Sequence, residues 1–318
     1  MTKPLTVGVL ALAIAATTGV EPALGTYLVA RDVGSPVLQV DSKGYALVSY
    51  REKGKAKHVL AWGAINALPP KRGASQVAFE VDYSGGWKAL KKRNYYRTIE
   101  NVCSTAKYDG PALADKVVAC KAPDGSYWAL QQWQRALPNL GFAPWRPAQS
   151  AEELYLAHWK GPLPELRTVA NWAWGGRYQQ IVGQYSYAGS PVYGFKATPA
   201  GVPLDAWGRN VYLDTFDSAY GAGWKRENSV LTQGPNGRFC YSLVPRPPYP
   251  GYPAGPPRQG AGARYRMTAL GPGVTPVVSV ELPSPGAYDA KDPAKVKLES
   301  DGNATVDRLG FRPTDCHH

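Results

Sequence analysis

The chain has 318 residues, of which 44% are hydrophobic and 19% charged, and a formal net charge of +12. This composition excludes an intrinsically disordered chain, and the length allows one large hydrophobic core or two smaller ones. Gly 34, Pro 29 and Tyr 20 against Met 2 indicate frequent turns and many aromatic strand formers, so we predict an all-β or strongly β-dominated fold.

The first 25 residues have the pattern of a secretory signal peptide. Lys3 gives a positive start, an apolar run extends over residues 5–16, and Ala23-Leu24-Gly25 is a small-x-small cleavage site before Thr26. The alternative is an uncleaved anchor, but the apolar run is shorter than the roughly 20 residues that cross a bilayer. We therefore expect a mature chain that is secreted or extracytoplasmic and has no transmembrane segment.

Strand-like runs recur at short intervals around turn residues. The predicted hairpins join residues 45–50 to 58–62 and residues 117–122 to 126–132, and further strand patterns lie at 179–187, 192–197, 238–244, 264–270 and 275–282. Helix signals are few: residues 87–96 suit a turn or two, and Asp301-Gly302 indicates a turn. We predict antiparallel sheets in a sandwich-like arrangement with little helix.

Composition divides the mature chain into two predicted units. An N-terminal β-rich unit at 26–145 and a C-terminal β-rich unit at 146–318 meet within the Pro-containing stretch at 144–149. The second unit contains a Pro/Gly-rich loop at 245–262, where no periodic apolar residues occur.

Four cysteines in an exported chain favour two disulfides over free thiols or a metal site. Three pairings are possible, and we predict the sequence-local one, Cys103 with Cys120 and Cys240 with Cys316. The end Cys316-His317-His318 is either a metal-binding terminus or a solvated tail. We predict the tail, with no metal site and no cofactor.

The positive charge points to an anionic neighbour outside the cytoplasm, such as envelope polymers, phospholipid headgroups or acidic polysaccharide, rather than to nucleic acid. The alternative is that the charge only maintains solubility. Residues 87–97 interleave cations with aromatics, the arrangement that holds an anionic polymer, and Lys53, Lys55 and Lys57 could extend this patch. An ordinary solvated basic face would have the same sequence.

The densest group of aromatic and hydrogen-bonding residues lies within residues 203–228. Flat aromatic rings beside polar groups suit a sugar ring, because its C–H bonds stack on the ring while its hydroxyls bind at the edges. The predicted ligand-binding residues are Asp205, Trp207, Arg209, Asn210, Tyr212, Asp214, Asp217, Tyr220, Trp224, Arg226 and Glu227. The alternative is that these polar residues shape turns and pair with each other while the tryptophans fill the core.

Paired carboxylates are the signal for glycoside hydrolysis, and two groups of them occur. Asp205, Asp214, Asp217 and Glu227 supply candidates in the same region. Glu80 and Asp82 are a second pair, spaced as in the Glu-x-Asp-x-x-Glu strand of one family of sandwich-fold glucanases, which this short stretch resembles over two residues; the third position is Gly85. The simpler interpretation is that Glu80 and Asp82 form the solvated face of an amphipathic strand.

No motif for a metalloprotease, a serine hydrolase elbow, a phosphate-binding loop or a calcium loop occurs in the sequence. Catalytic residues are therefore not assigned, and whether the protein is an enzyme stays open. The leading hypothesis is a secreted, non-enzymatic binding protein for an anionic or neutral polysaccharide of an envelope or extracellular matrix. The alternatives are a secreted carbohydrate-active hydrolase and a structural surface protein without a small ligand.

Overall fold

The computed structural model describes residues 25–70, 75–134, 152–173, 175–192, 210–218, 221–230, 237–243 and 262–310; of residues 134, 221, 225 and 227–230 it describes the backbone only. The strands are β1 Tyr27–Arg31, β2 Gly34–Val40, β3 Ala46–Glu52, β4 Lys55–Trp62, β5 Glu80–Asp82, β6 Lys116–Lys121, β7 Tyr127–Gln134, β8 Glu152–Trp159, β9 Glu165–Ala173, β10 Tyr178–Tyr187, β11 Ser190–Pro191, β12 Val211–Ser218, β13 Gly221–Val230, β14 Arg238–Ser242, β15 Arg264–Ala269 and β16 Val278–Pro283. The helices are α1 Trp87–Leu90, α2 Tyr95–Thr98 and α3 Pro293–Arg308, with a 3₁₀ turn at Thr105–Lys107.

The described strands form four antiparallel sheets of four strands each. Two have the orders β2-β3-β4-β5 and β1-β8-β7-β6. A third has the order β13-β12-β15-β16, and in the fourth β10 pairs with β9, β11 and β14. The prediction of a strongly β-dominated, antiparallel, sandwich-like fold is confirmed.

Turn chemistry explains why the predicted hairpins form. β3 and β4 are joined by Lys53 and Gly54, with φ of 48° and 78°, and β10 and β11 by Ala188 and Gly189, with φ of 49° and 74°. Two consecutive positive φ values are typical of the turn that matches the twist of paired strands. Residues 193–197 of one predicted strand, and the predicted Pro/Gly-rich loop as far as residue 261, lie outside the described residues.

The first sandwich forms where the β2-β3-β4-β5 sheet packs on the β1-β8-β7-β6 sheet. Its core is lined by alternate side chains of both sheets, among them Val40, Val48, Val59, Leu130 and Leu156. The Cys103–Cys120 disulfide lies in this core and confirms the first predicted pairing; a loop of this size contributes about 3 kcal/mol in the chain-entropy model. The pairing of Cys240 with Cys316 stays a prediction, because Cys316 lies outside the described residues.

The second sandwich packs the β13-β12-β15-β16 sheet on the sheet of β9, β10 and β14, around a core that includes Ile181, Tyr185, Leu213, Phe239 and Met267. β8 follows the predicted boundary between residues 145 and 146, yet it pairs with β1 and β7. The strands on either side of the predicted boundary, β7 and β8, are therefore neighbours in one sheet, and the division into two units stays a prediction.

Helix α3 differs from the sequence prediction, which assigned Asp301-Gly302 to a turn. Its start has the expected chemistry, because Pro293 occupies the first turn and the Asp292 carboxylate accepts the N–H of Ala294 at 2.9 Å. Gly302 lies within the helix and faces β9, where a Cβ atom would lie 2.5 Å from Nδ2 of the buried Asn171. The glycine therefore allows a close approach of helix and sheet.

His158, on β8, links separate segments of the first sandwich. Its ring stacks on Trp128 with 3.7 Å between centroids, its Nδ1 donates to the carbonyl of Ala64, and its Nε2 lies 3.0 Å from Oγ of Ser126. Burial lowers the pKa of His158 to about 4, and the bond to Ala64 and the charge of Asp124 oppose that shift only in part. The folded protein therefore holds a neutral imidazole at neutral pH.

We predict that Gly302→Ala lowers the urea midpoint of unfolding. Alanine favours a helix over glycine by about 1 kcal/mol, but overpacking against the buried Asn171 side chain costs about 1–3 kcal/mol. The matched control is Ser300→Ala, an exposed position of the same helix, whose midpoint stays unchanged or rises slightly. A raised midpoint for Gly302→Ala would contradict the close approach of α3 to β9.

We predict that the free energy of unfolding decreases as the pH falls from about 6.5 to about 4. In this range the unfolded chain takes up a proton on His158 and the folded chain does not, so the unfolded state binds more protons. The lowering of the pKa from 6.5 to about 4 corresponds to about 3 kcal/mol. Urea unfolding at a series of pH values measures the slope, which His158→Asn should reduce. Some slope remains, because burial also lowers the pKa of His58; an unchanged slope in the variant would refute the assignment.

Candidate functional site

The structure places the predicted ligand-binding residues in several different surroundings. Asp205, Trp207, Arg209 and Tyr220 lie outside the described residues, and only the backbone of Glu227 is described. Four of the remaining six are buried: Asn210, Tyr212, Asp214 and Arg226. The other two are Asp217 and Trp224.

Tyr212 and Asp214 lie on β12, whose side chains from Val211 to Thr215 are buried on both faces of the strand. Asn210 directly precedes β12, and Arg226 lies on the neighbouring strand β13. Leu213 packs in the second core, and Tyr212 packs edge-on against Trp133 of β7. The face of β12 that carries Tyr212 and Asp214 is therefore an interior face. The four buried side chains do not reach a surface on which a polymer could lie.

Asp214 and Arg226 form an internal ion pair between β12 and β13. Nε and Nη2 of Arg226 donate to the two carboxylate oxygens at 2.6 and 3.0 Å. The guanidinium also lies over the rings of Trp133 and Tyr212, at 5.4 and 5.0 Å from their centroids. Burial disfavours its charge, but the facing Asp214 carboxylate raises the pKa of Arg226. Asp214 is thus a buried counter-ion rather than an acid or base facing a substrate.

Asp217 and Trp224 lie next to the turn between β12 and β13. Oδ1 of Asp217 accepts the N–H of Gly223 at 2.7 Å, a bond that shapes the turn. The half-buried ring of Trp224 packs against Phe216 and lies 4.0 Å from the guanidinium carbon of Arg266. This tryptophan is already stacked by an arginine of its own sheet.

Glu80 and Asp82 differ in exposure, so the prediction that both are solvated is wrong for Asp82. Its carboxylate accepts the N–H groups of Gly86, Lys88 and Ala89 at 3.0–3.2 Å and both donors of Ser84. Burial raises its pKa, but these hydrogen bonds outweigh burial and lower the pKa of Asp82 overall. Asp82 therefore caps the start of α1 and is not the partner of Glu80 in an acid–base pair.

Residues 87–97, which the sequence analysis singled out, lie across the outer face of the β2-β3-β4-β5 sheet. The segment consists of α1 and α2 with the residues between them, and it packs through Leu90 and Tyr95 on Leu47 and Leu60. The hydroxyl of Tyr95 donates to Asp41 at 2.6 Å. Two fixed points, the Asp82 cap and this bond, thus hold the segment in place.

The exposed cations of this segment are called the basic surface here: Lys88, Lys91, Lys92, Arg93 and Arg97. Arg93 lies 5.4 Å from the centroid of the Trp87 ring, and Lys92 and Arg97 lie at 5.5 and 5.4 Å from the rings of Tyr95 and Tyr96. Tyr96 in turn stacks on His58 with 4.0 Å between centroids. Cations that are held over rings have little rotamer freedom left to lose on binding.

Lys55 and Lys57, which the sequence analysis considered as an extension of this patch, lie on the other face of β4. His58, Leu60 and Trp62 face the segment, and alternation turns Lys55 and Lys57 away from it. On β3, Ser49 bonds to His58 across the pair, and the next residue on that face is Arg51. Arg51 rather than the lysines therefore continues the face that carries the basic surface.

An open groove lies where the edge strand β5 meets α1. It has a volume of about 550 Å³ and is lined by Trp62, Val81, Asp82, Tyr83, Ser84, Lys88 and Ala89. Tyr83 is 63% exposed, and its hydroxyl is 2.8 Å from that of Tyr27, which fixes the ring. Lys88 belongs to both the groove and the basic surface, so the two are continuous.

Sequence reasoning identified the basic segment but not the groove walls. Tyr83 follows directly after the three-residue edge strand β5, and this position exposes its side chain. Trp62 ends β4 and packs on Tyr45. A signal that could have indicated the site is the turn Tyr83-Ser84-Gly85-Gly86, which places an aromatic residue immediately before the basic segment.

No helix in the described part of the chain is long and apolar enough to cross a membrane. No group of three or more His, Cys, Asp or Glu side chains among the described residues could hold a metal ion. No protein-family model matches the chain, and no curated protein or solved structure is significantly similar to it.

We predict that Asp214→Ala lowers the free energy of unfolding by about 3–5 kcal/mol, because it leaves the buried Arg226 charge without a counter-ion. The matched control is Glu281→Ala, which removes a half-exposed carboxylate from Arg264 and Arg266 and costs about 1 kcal/mol or less. Urea unfolding of both variants tests the difference. Equal losses would show that the Asp214–Arg226 pair is solvated.

Proposed function

We propose that the protein is a secreted, non-enzymatic binding protein for envelope or extracellular carbohydrate, and that the groove beside Tyr83 is its binding site. The observation that carries this proposal is an open groove of about 550 Å³ with aromatic rings on its walls and Lys88 at its edge. Small-ligand sites have volumes of about 300–1,000 Å³ and combine apolar walls with a few polar groups.

The groove has the chemistry that a sugar ring needs. The C–H bonds of a pyranose pack on an aromatic face, and its hydroxyls bind polar groups at the edge of that face. Tyr83 offers an exposed ring whose orientation is set by its contact with Tyr27, and Trp62 offers a second, half-buried ring. A ring that is already fixed loses little conformational entropy on binding.

The compartment expected from the sequence agrees with such a ligand. Residues 1–25 have the pattern of a cleaved signal peptide, and the Cys103–Cys120 disulfide is of the kind that persists in oxidising compartments. Both features support a ligand outside the cytoplasm.

The hydrolase alternative has less support from the geometry. Hydrolysis needs two carboxylates about 5–9.5 Å apart on either side of the scissile bond. Asp82 lines the groove but is saturated by hydrogen bonds, while Asp214 and Asp217 are engaged within the second sandwich. The burial of four predicted ligand-binding residues supports the third alternative, a structural surface protein. A binding experiment distinguishes this alternative from the proposal.

We predict that mature protein, residues 26–318, co-sediments with at least one insoluble polysaccharide or purified cell wall, and that Tyr83→Ala weakens this binding about tenfold. Loss of one stacking ring is worth about 0.5–1.5 kcal/mol, and about 1.4 kcal/mol is a factor of ten in affinity. Leu68→Ala is the matched control, because Leu68 is an exposed apolar residue outside the groove lining.

Thermal unfolding of each variant shows that the fold is retained. No retention of the wild-type protein on any polymer would overturn the proposal in favour of a structural protein. Equal binding by Tyr83→Ala and the wild type would show that the binding site lies outside the groove. Release of soluble sugars during the incubation would favour the hydrolase alternative.

A further inference from the structure

The basic surface stands out because it concentrates five cations within eleven residues. None of its five cations forms an ion pair with a described residue. Some cations elsewhere in the described parts do, such as Lys121 with Asp109 and Lys297 with Asp301, whereas others, among them Lys53, Lys55 and Lys57, form no ion pair with a described residue either. Residues 87–97 contain no acidic residue at all.

The ring faces beneath these cations are already in use. Arg93 lies over Trp87, and Tyr96 lies between His58 and Arg97. A neutral sugar would have to compete with Arg93 for the ring face of Trp87 that the arginine covers, and with Arg97 or His58 for Tyr96. An acidic group needs no such displacement, because a guanidinium stacked on a ring still presents its N–H edge to carboxylates, sulfates or phosphates.

The surface is also rigid and directional. The Asp82 cap holds its start beside the groove, and the stack of Tyr96 on His58 holds its far end against the sheet. Arg51 lies on the same face of β3 beyond Ser49. Positive groups therefore extend from Lys88 at the groove across the sheet, as an extended polymer requires.

We infer that the ligand is an anionic polysaccharide, with one sugar unit in the groove and the acidic groups of the following units on the basic surface. This inference rests on the proposed function and adds the charge of the ligand to it. Attraction between a row of solvent-exposed cations and a polyanion is strong at low ionic strength and screened by salt.

The test compares two ligands that share a backbone: polygalacturonate and its fully methyl-esterified form, titrated into mature protein by calorimetry. Polygalacturonate should bind at least about tenfold more tightly, and raising NaCl from about 50 mM to about 500 mM should abolish most of that advantage. Equal affinity for the two forms, with binding retained in salt, would overturn this inference and leave the proposed function standing.

A pair of charge-matched variants locates the surface. Lys91→Gln/Lys92→Gln/Arg93→Gln should weaken polygalacturonate binding about tenfold, whereas Lys53→Gln/Lys55→Gln/Lys57→Gln, which removes the same charge from the other side of the β3–β4 hairpin, should change it about twofold or less. Equal losses in both would show that only net charge matters. Tighter binding to phosphatidylglycerol vesicles or to a DNA duplex than to any polysaccharide would overturn both the inference and the proposed function.

Discussion

The structure depends on a buried loop that joins β15 to β16. All eight residues from 270 to 277 are buried, although a buried loop must find partners for its backbone polar groups. The side chain of Gln131 donates to the carbonyl of Val277 and accepts its N–H, and Oγ1 of Thr26 accepts the N–H of Gly271 and donates to the carbonyl of Thr275. The hydroxyl of Tyr185 donates to the carbonyl of Leu270. A buried backbone group without a hydrogen-bond partner would destabilise the fold by about 1–3 kcal/mol. The loop can therefore be buried only because these side chains supply the partners.

The same loop determines which surface stays available for binding. Its partners come from β7 and the start of β1 in the first sandwich and from β10 in the second, so it fastens the two sandwiches together. Trp133 and Tyr155 on the outer face of the β1-β8-β7-β6 sheet pack with Tyr212 of β12. The second sandwich therefore covers part of the outer face of this sheet, and Tyr108, Leu113 and Leu163 pack on another part of it. The outer face of the other sheet is left to residues 87–97 and the groove.

The sequence predicted the features that local chemistry controls. Predictions from the sequence were wrong where the deciding contact comes from a residue that is distant along the chain. Alternation and turn residues located the hairpins, and the short separation of Cys103 and Cys120 gave their pairing. The polar face of β12 was misassigned because Trp133, far away in the sequence, covers it. Gly302 was predicted to be in a turn, because glycine is common in turns. In the folded protein this glycine instead allows the close approach of α3 to β9, a contact that the local sequence does not show. The basic segment could be identified from the sequence because its charges lie close together along the chain. The groove could not, because it forms only where the edge strand β5 and the end of β4 meet in the fold.

Arginines stacked on aromatic rings occur in both sandwiches, and they differ in whether a carboxylate is paired with them. Arg226 has Asp214, and Arg264 and Arg266 share Glu281, so the β13-β12-β15-β16 sheet neutralises its stacked cations internally. Arg93 and Arg97 have no carboxylate partner among the described residues. An arginine that is stacked on a ring and paired with a carboxylate needs no external partner, because its charge and its hydrogen bonds are satisfied within the fold. A stacked arginine without one is oriented but not paired within the described residues. Arg177, which lies over Tyr178, is a further case; what distinguishes Arg93 and Arg97 is their place on the basic surface, for which we propose an anionic ligand.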